Sequence, residues 1–102
     1  MTPWAALQNI GDVSANDSWD ELCQRLAALA AVRRALEDQK SLDAVAANEL
    51  QRRIDRVATS LRFVAPGREW PVVYSEDPPL STTNVLRELT QIRQDLLSEA
   101  RR

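Results

Sequence analysis

The stretch that decides the fold is residues 18–38, SWDELCQRLAALAAVRRALED. Ser18 and Glu21 form the S-x-x-E pattern of a capping box, in which the serine hydroxyl accepts a hydrogen bond from the Glu21 amide. Arg33 occupies the one gap in a series of apolar residues spaced three or four apart: Trp19, Leu22, Leu26, Leu29 and Leu36. No proline or glycine interrupts this series, so it predicts a helix over residues 18–38.

A second stretch of matching length follows the short link 39–41. Its apolar residues also recur about every three or four positions: Leu42, Val45, Ala46, Leu50, Ile54, Val57, Leu61 and Val64. This spacing predicts a helix over residues 42–63, with Ser41 as its N-cap and Pro66 and Gly67 beyond its end. Each helix is then about 32 Å long. Equal lengths and a short link favour an antiparallel hairpin with coiled-coil-like packing.

A short helix is predicted ahead of the hairpin, over residues 3–10. Thr2 is a suitable N-cap, Pro3 is tolerated at the first helical position, and Gly11 is typical of a helix end. Apolar residues recur three apart between these signals: Trp4, Leu7 and Ile10.

The chain changes character in residues 64–83, which hold four of its five prolines. The β-branched and aromatic run from Trp70 to Tyr74 is typical of extended chain, so we expect a Pro-rich strap that lies across the helices.

A last helix is predicted over residues 84–101. Its candidate caps are Ser81, Thr82, Thr83 and Asn84, and its apolar stripe is formed by Val85, Leu89, Ile92 and Leu96. The whole chain, 1–102, is therefore predicted to be one all-α domain. The hairpin and the C-terminal helix form a small bundle, to which the short N-terminal helix and the strap are added.

Composition argues against catalysis. The chain has no histidine, so it lacks the commonest general base and the commonest metal ligand. Its lone cysteine, Cys23, follows the apolar spacing of the first long helix and is expected to be a small, half-buried side chain. Two glycines are too few for a phosphate-binding loop. We therefore expect no enzyme, no cofactor and no metal site.

Charge argues against a nucleic-acid partner, because a net charge of −2 gives no surplus of basic residues. Arg52, Arg53 and Arg56 form a small patch on the second long helix. A nucleic-acid-associated regulator that uses this patch is the alternative function. A solvated helix face with ion pairs is the more economical interpretation. No apolar run reaches membrane-spanning length and no secretory pattern is evident, so a cytoplasmic location is expected.

Protein–protein interaction is the function class that remains. The two long helices carry apolar stripes wide enough to need cover on more than one side, and a two-helix core is thin. Aromatic residues in the strap are typical interface anchors. We expect a small, non-enzymatic helical adaptor, assembly subunit or inhibitor of bacterial type that binds a protein partner or a second copy. The predicted interface is Trp70, Tyr74, Leu86, Leu89, Ile92 and Leu96.

Overall fold

The computed structural model describes residues 2–11, 13–14, 16–63 and 80–100. All regular secondary structure in these residues is helical: α1 is Pro3–Ile10, α2 is Trp19–Asp38, α3 is Ala44–Phe63 and α4 is Thr82–Ala100. The four helices pack as a small bundle, which confirms the all-α class. Residues 64–79 of the predicted strap lie outside the described residues. No helix in the described part of the chain is long and apolar enough to cross a membrane.

The first two helices begin at the caps that the sequence indicates. The Thr2 hydroxyl accepts a 3.1 Å hydrogen bond from the Ala5 amide at the start of α1. Gly11 ends this helix with a φ of 67°, a conformation that favours glycine. The Ser18 hydroxyl accepts from the Glu21 amide at 3.2 Å, as the capping-box pattern predicts.

The third helix begins at Ala44, two residues later than predicted, and its N-cap is Asp43 instead of Ser41. The Asp43 carboxylate accepts a 2.8 Å hydrogen bond from the Ala46 amide. Ser41 is used differently, because its amide donates to the Leu36 carbonyl at 2.8 Å. Together with the bond from the Lys40 amide to the Glu37 carbonyl, this makes a Schellman motif at the end of α2.

The fourth helix begins at Thr82, two residues earlier than predicted. Ser81, the first of the four candidate caps, accepts from the Asn84 amide at 3.3 Å. Thr82 and Thr83 therefore belong to α4 and not to the strap. Just before this cap, the Leu80 amide donates to the hydroxyl of buried Ser60 at 2.8 Å, which fixes the entry to α4 beside the end of α3.

The core lies where α4 packs against both α2 and α3, and α1 closes the bundle against α2 and α4. The large side chains with no exposed surface come from all four helices: Leu7, Leu29, Val57, Leu89, Ile92 and Leu96. Complete burial of each such side chain contributes about 1.5–3 kcal/mol to folding. Val45, by contrast, is 75% exposed, so the buried stripe of α3 does not include it.

Two arginines form hydrogen bonds between helices, one between α2 and α3 and one between α3 and α4. Arg33, at the gap in the apolar stripe of α2, is buried and donates to the Glu37 carboxylate and to the Ala47 carbonyl of α3. Arg53 of α3 donates to Glu88 and, at 2.6 Å, to Asp95, both on α4. Partial burial acts against the charged form of Arg53, but the two carboxylates outweigh it and raise the pKa of the guanidinium.

Candidate interaction site

The predicted interface residues fall into two groups in the structure. Leu89, Ile92 and Leu96 are 0% exposed and form the part of α4 that packs in the core. Leu86 is half-buried against the same core. In this fold these side chains hold α4 in the bundle, so a partner that binds them must first displace α4. Trp70 and Tyr74 form the second group and lie outside the described residues.

The predicted arginine patch is divided by the ion pairs of the bundle. Arg53 is turned toward α4, where Glu88 and Asp95 surround its guanidinium. Arg52 is exposed and lies 3.6 Å from Glu49 on its own helix. Arg56 is also exposed. The patch therefore presents two exposed arginines instead of three, and Arg52 has a carboxylate beside it.

The described surface contains an apolar groove between α2 and α3, with a volume of about 410 Å³. We call it the α2–α3 groove. Its lining comes from these two helices alone: Trp19, Cys23, Leu26, Ala27 and Ala30 of α2, and Gln51, Ile54, Asp55, Ala58, Leu61 and Arg62 of α3. Arg53, which faces α4, lies about 140° around α3 from Ala58 at 100° per residue. The groove is therefore on the side of the α2–α3 pair that α4 leaves uncovered.

Helical spacing explains the shape of the α2–α3 groove. Both linings span eleven residue steps, 19–30 and 51–62, which is about 16 Å at 1.5 Å per residue. On α2 the series Trp19, Cys23, Leu26, Ala30 follows the alternating three-and-four spacing of a helix seam. The lining residues of α2 other than Trp19 and Leu26 are small: Cys23, Ala27 and Ala30.

Trp19 lies at one end of the α2–α3 groove and bonds the two helices to each other there. Its indole Nε1 donates a 2.9 Å hydrogen bond to the Leu61 carbonyl, across from α2 to α3. Burial of an indole is favourable when its N–H finds such a partner. This bond also fixes the relative level of the two helices, because the start of α2 lies beside the end of α3.

The polar residues of the α2–α3 groove lie on α3. Gln51 donates to the Asp55 carboxylate at 2.8 Å, one helical turn away, and Arg62 stands near the Trp19 end. Cys23 is half-buried in the wall, as the sequence predicts. The described residues contain no group of three or more His, Cys, Asp and Glu placed to hold a metal ion. The chemistry that this lining offers is apolar contact with a few charges at the rim.

Sequence reasoning located the residues of the α2–α3 groove on helices but did not assign them to an interface. The available signal was the width of the apolar stripes, which indicated that the hairpin needs cover on more than one side. A sharper signal was the run of small residues beside the large ones on α2. Compared with known proteins, the chain matches no family model, no curated protein and no solved structure.

Proposed function

We propose that this protein is a non-enzymatic helical interaction protein, an adaptor, assembly subunit or inhibitor, that binds another protein chain in the α2–α3 groove. The observation that carries the proposal is the apolar lining. Eight of the eleven lining residues are Trp, Leu, Ile, Ala or Cys. Apolar grooves of this kind between helices are suited to receive the apolar face of another helix.

The proposal includes an antiparallel α2–α3 hairpin. Two contacts between its helices support this arrangement. Trp19, at the start of α2, donates to Leu61 near the end of α3. Arg33, near the end of α2, donates to Ala47 near the start of α3. The residue numbers in the two pairs change in opposite directions, as expected for neighbouring helices that run antiparallel.

Trp70 and Tyr74 remain predicted interface residues. Their segment, 64–79, joins Phe63 to Leu80, and Leu80 is bonded to Ser60 beside the Trp19 end of the α2–α3 groove. A cytoplasmic location is also part of the proposal, in keeping with a chain that has a single cysteine.

The proposal is tested by placing a charge in the α2–α3 groove. Ala58→Arg and Ala27→Arg each put a guanidinium on the apolar wall, and Ala27 is already exposed, so its replacement leaves the core intact. Gln94→Arg, on the exposed surface of α4, is the matched control. Circular dichroism establishes that each variant is folded.

The measurement is association of the full chain, both with itself by light scattering and with proteins retained from an extract of its native host. We expect any complex that the wild type forms to survive in Gln94→Arg and to be lost in both groove variants. A complex that is equally stable in all four proteins would place the interface elsewhere. Absence of every complex, over the full range of concentrations, would overturn the proposed function.

A further inference from the structure

We propose that the surface of α2 and α4 beneath α1 is a second binding site, for a short amphipathic helix of another protein, and that α1 is its displaceable occupant. We call this surface the α1 cleft. It goes beyond the proposed function, because the residues of α2 that contact α1 or line cavities with it are not those that line the α2–α3 groove.

α1 lies in the α1 cleft in the manner of a bound peptide helix. Leu7 is fully buried, and Ala6 and Ile10 pack against the core. Pro3 lines a cavity together with residues of α2 and α4. These four positions have the spacing i, i+3, i+4 and i+7, which is typical of the anchors by which a helix binds in a groove of another protein.

The end of α1 is bound through its backbone. Arg25 of α2 donates to the Ile10 and Gly11 carbonyls, and Arg93 of α4 donates to the Leu7 carbonyl at 3.3 Å. The last four carbonyls of any helix have no partner within the helix, and a cation beside them is favourable. These bonds therefore recognise the end of a helix and not the side chains of α1.

Arg25 is oriented by a residue outside α1. Its Nε lies 2.9 Å from the Asp17 carboxylate, which also accepts a 3.0 Å hydrogen bond from the Ser14 amide. The Asp17 amide in turn donates to the Ser14 carbonyl, so the turn is closed by its own bonds directly before Ser18, the N-cap of α2. We therefore expect Arg25 to stay in place when α1 leaves, which lowers the cost of binding another helix.

The other three helices form a bundle that does not require α1. α2, α3 and α4 pack against one another in all three pairs, and α1 packs against α2 and α4. α1 has eight residues, of which Leu7 is the fully buried one. A helix this short is not stable alone in water. α1 is therefore expected to open before the rest of the fold, with α2, α3 and α4 still packed.

α1 does not fill the α1 cleft. A cavity of about 540 Å³ lies at its start, where Pro3 faces Leu36 of α2 and Ala100 of α4 across the space they line. From Arg25 to Gln39, which also lines this cavity, the cleft extends about 21 Å along α2. Eight residues of α1 span about 12 Å.

This difference selects the partner. A helix of about fourteen residues spans the full length along α2 at 1.5 Å per residue. With a larger apolar side chain at the Pro3 position it buries more apolar surface than α1 does. The α1 helix of a second copy has the same length and the same side chains as the resident α1, so it has no such advantage. A helix of another protein is the occupant that can displace α1.

The first test is binding of a synthetic peptide of residues 2–11, with blocked ends, to the isotope-labelled full chain by NMR titration. Leu7→Asp places a carboxylate among core side chains and is expected to release α1. Gln8→Asp adds the same charge at an exposed position of α1 and is the matched control. The peptide is expected to bind Leu7→Asp at least about tenfold more tightly than the wild type or Gln8→Asp, because in these two α1 occupies the cleft.

Two changes then test the recognition itself. Arg25→Gln in the Leu7→Asp chain is expected to weaken peptide binding about 2- to 10-fold, since it removes the hydrogen bonds to the helix end. A peptide with Pro3→Leu is expected to bind about threefold or more tightly than the original peptide, because leucine enters the cavity. Equal affinity of the two peptides would overturn the partner proposed here. A wild-type dimer that Leu7→Asp abolishes would do the same, because it would assign the cleft to α1 of a second copy.

Native-state hydrogen exchange of the wild type tests the opening of α1 without any substitution. The amides of residues 7–10 are expected to exchange at least about tenfold faster than the most protected amides of α2, α3 and α4, through an opening that low urea concentrations do not promote. The inference is overturned when α1 exchanges only through global unfolding, or when a folded Leu7→Asp chain binds the peptide no more tightly than the wild type. When circular dichroism shows Leu7→Asp to be unfolded, the exchange measurement decides alone.

Discussion

Glycine at position 40 is expected to make the protein more stable than alanine at the same position. Lys40 follows the end of α2 with a φ of 59°, and among the described residues it is the one non-glycine residue with a positive φ. A side chain in this left-handed conformation costs about 1–2 kcal/mol because Cβ approaches the following carbonyl oxygen. The conformation persists because the amides of Lys40 and Ser41 donate to the Glu37 and Leu36 carbonyls.

The net gain is smaller than the relief of strain. Glycine adds conformational entropy to the unfolded chain and so gives back about 0.5–1 kcal/mol. The free energy of unfolding of Lys40→Gly is therefore expected to exceed that of Lys40→Ala by about 0.5–1 kcal/mol. For a domain of this size that corresponds to an increase in Tm of about 2–8 °C.

Two control variants separate backbone strain from other effects of the substitution. Lys40→Ala keeps Cβ and removes the charge, which itself stabilises the negative end of a helix by about 0.3–1 kcal/mol. Gln39→Gly introduces glycine at the neighbouring position, where φ is −81° and no strain exists to relieve. Lys40→Gly loses the same charge, so thermal unfolding followed by circular dichroism should rank it above Lys40→Ala and above Gln39→Gly. A Lys40→Gly protein no more stable than Gln39→Gly would refute the strain argument.

Two further predictions concern the core and the loop before α2. Leu26→Ala and Ile54→Ala are each expected to lower the free energy of urea unfolding by ~2–5 kcal/mol, because both side chains are over nine-tenths buried. The loss at Leu26 should be the smaller of the two, since Leu26 is 8% exposed and Ile54 is 4% exposed. Losses below about 1 kcal/mol at both sites would mean that these stripes are not core. The second prediction concerns the pH dependence of stability that Asp17 contributes. Bonding to the Ser14 amide, more than the nearby Arg25 guanidinium, lowers the pKa of Asp17. Its stabilising contribution is therefore present above the ordinary aspartate pKa of about 3.9 and is lost as the pH falls through the lowered value. The stability difference between wild type and Asp17→Asn should accordingly be clear at pH 7 and should shrink below about pH 4, and a difference that does not depend on pH would contradict this role.

The sequence was most informative where a local signal acts alone. The start of α2 follows from Ser18 and Glu21, which form a cap without help from the rest of the fold. The start of α3 was predicted wrongly because Ser41 and Asp43 are both good caps. The choice between them is made by the Schellman turn after α2, and that turn uses Lys40, a residue with no strong sequence preference for a positive φ.

Interface residues were harder to assign because an apolar stripe does not say what covers it. Leu89, Ile92 and Leu96 form the clearest stripe outside the hairpin, and the structure uses all three in its own core. The less conspicuous series that contains Cys23 and Ala30 lines the open groove instead. The leucine and isoleucine side chains of α4 gain more from leaving water than the small side chains of this series do.

The same reasoning explains why α4 packs on one side of the α2–α3 pair and not in the α2–α3 groove. On its own side α4 finds large apolar side chains and Arg53, whose guanidinium bonds Glu88 and Asp95 at the two ends of a two-turn span. On the groove side it would meet small residues and leave those two carboxylates without the arginine. Placing α4 in the groove would therefore lose both apolar burial and two charge-assisted hydrogen bonds. The position of α4 outside the α2–α3 groove is thus specified by the same residues that hold the bundle together. Any chain that fills the groove must bring its own large side chains or approach closely enough to use the small ones.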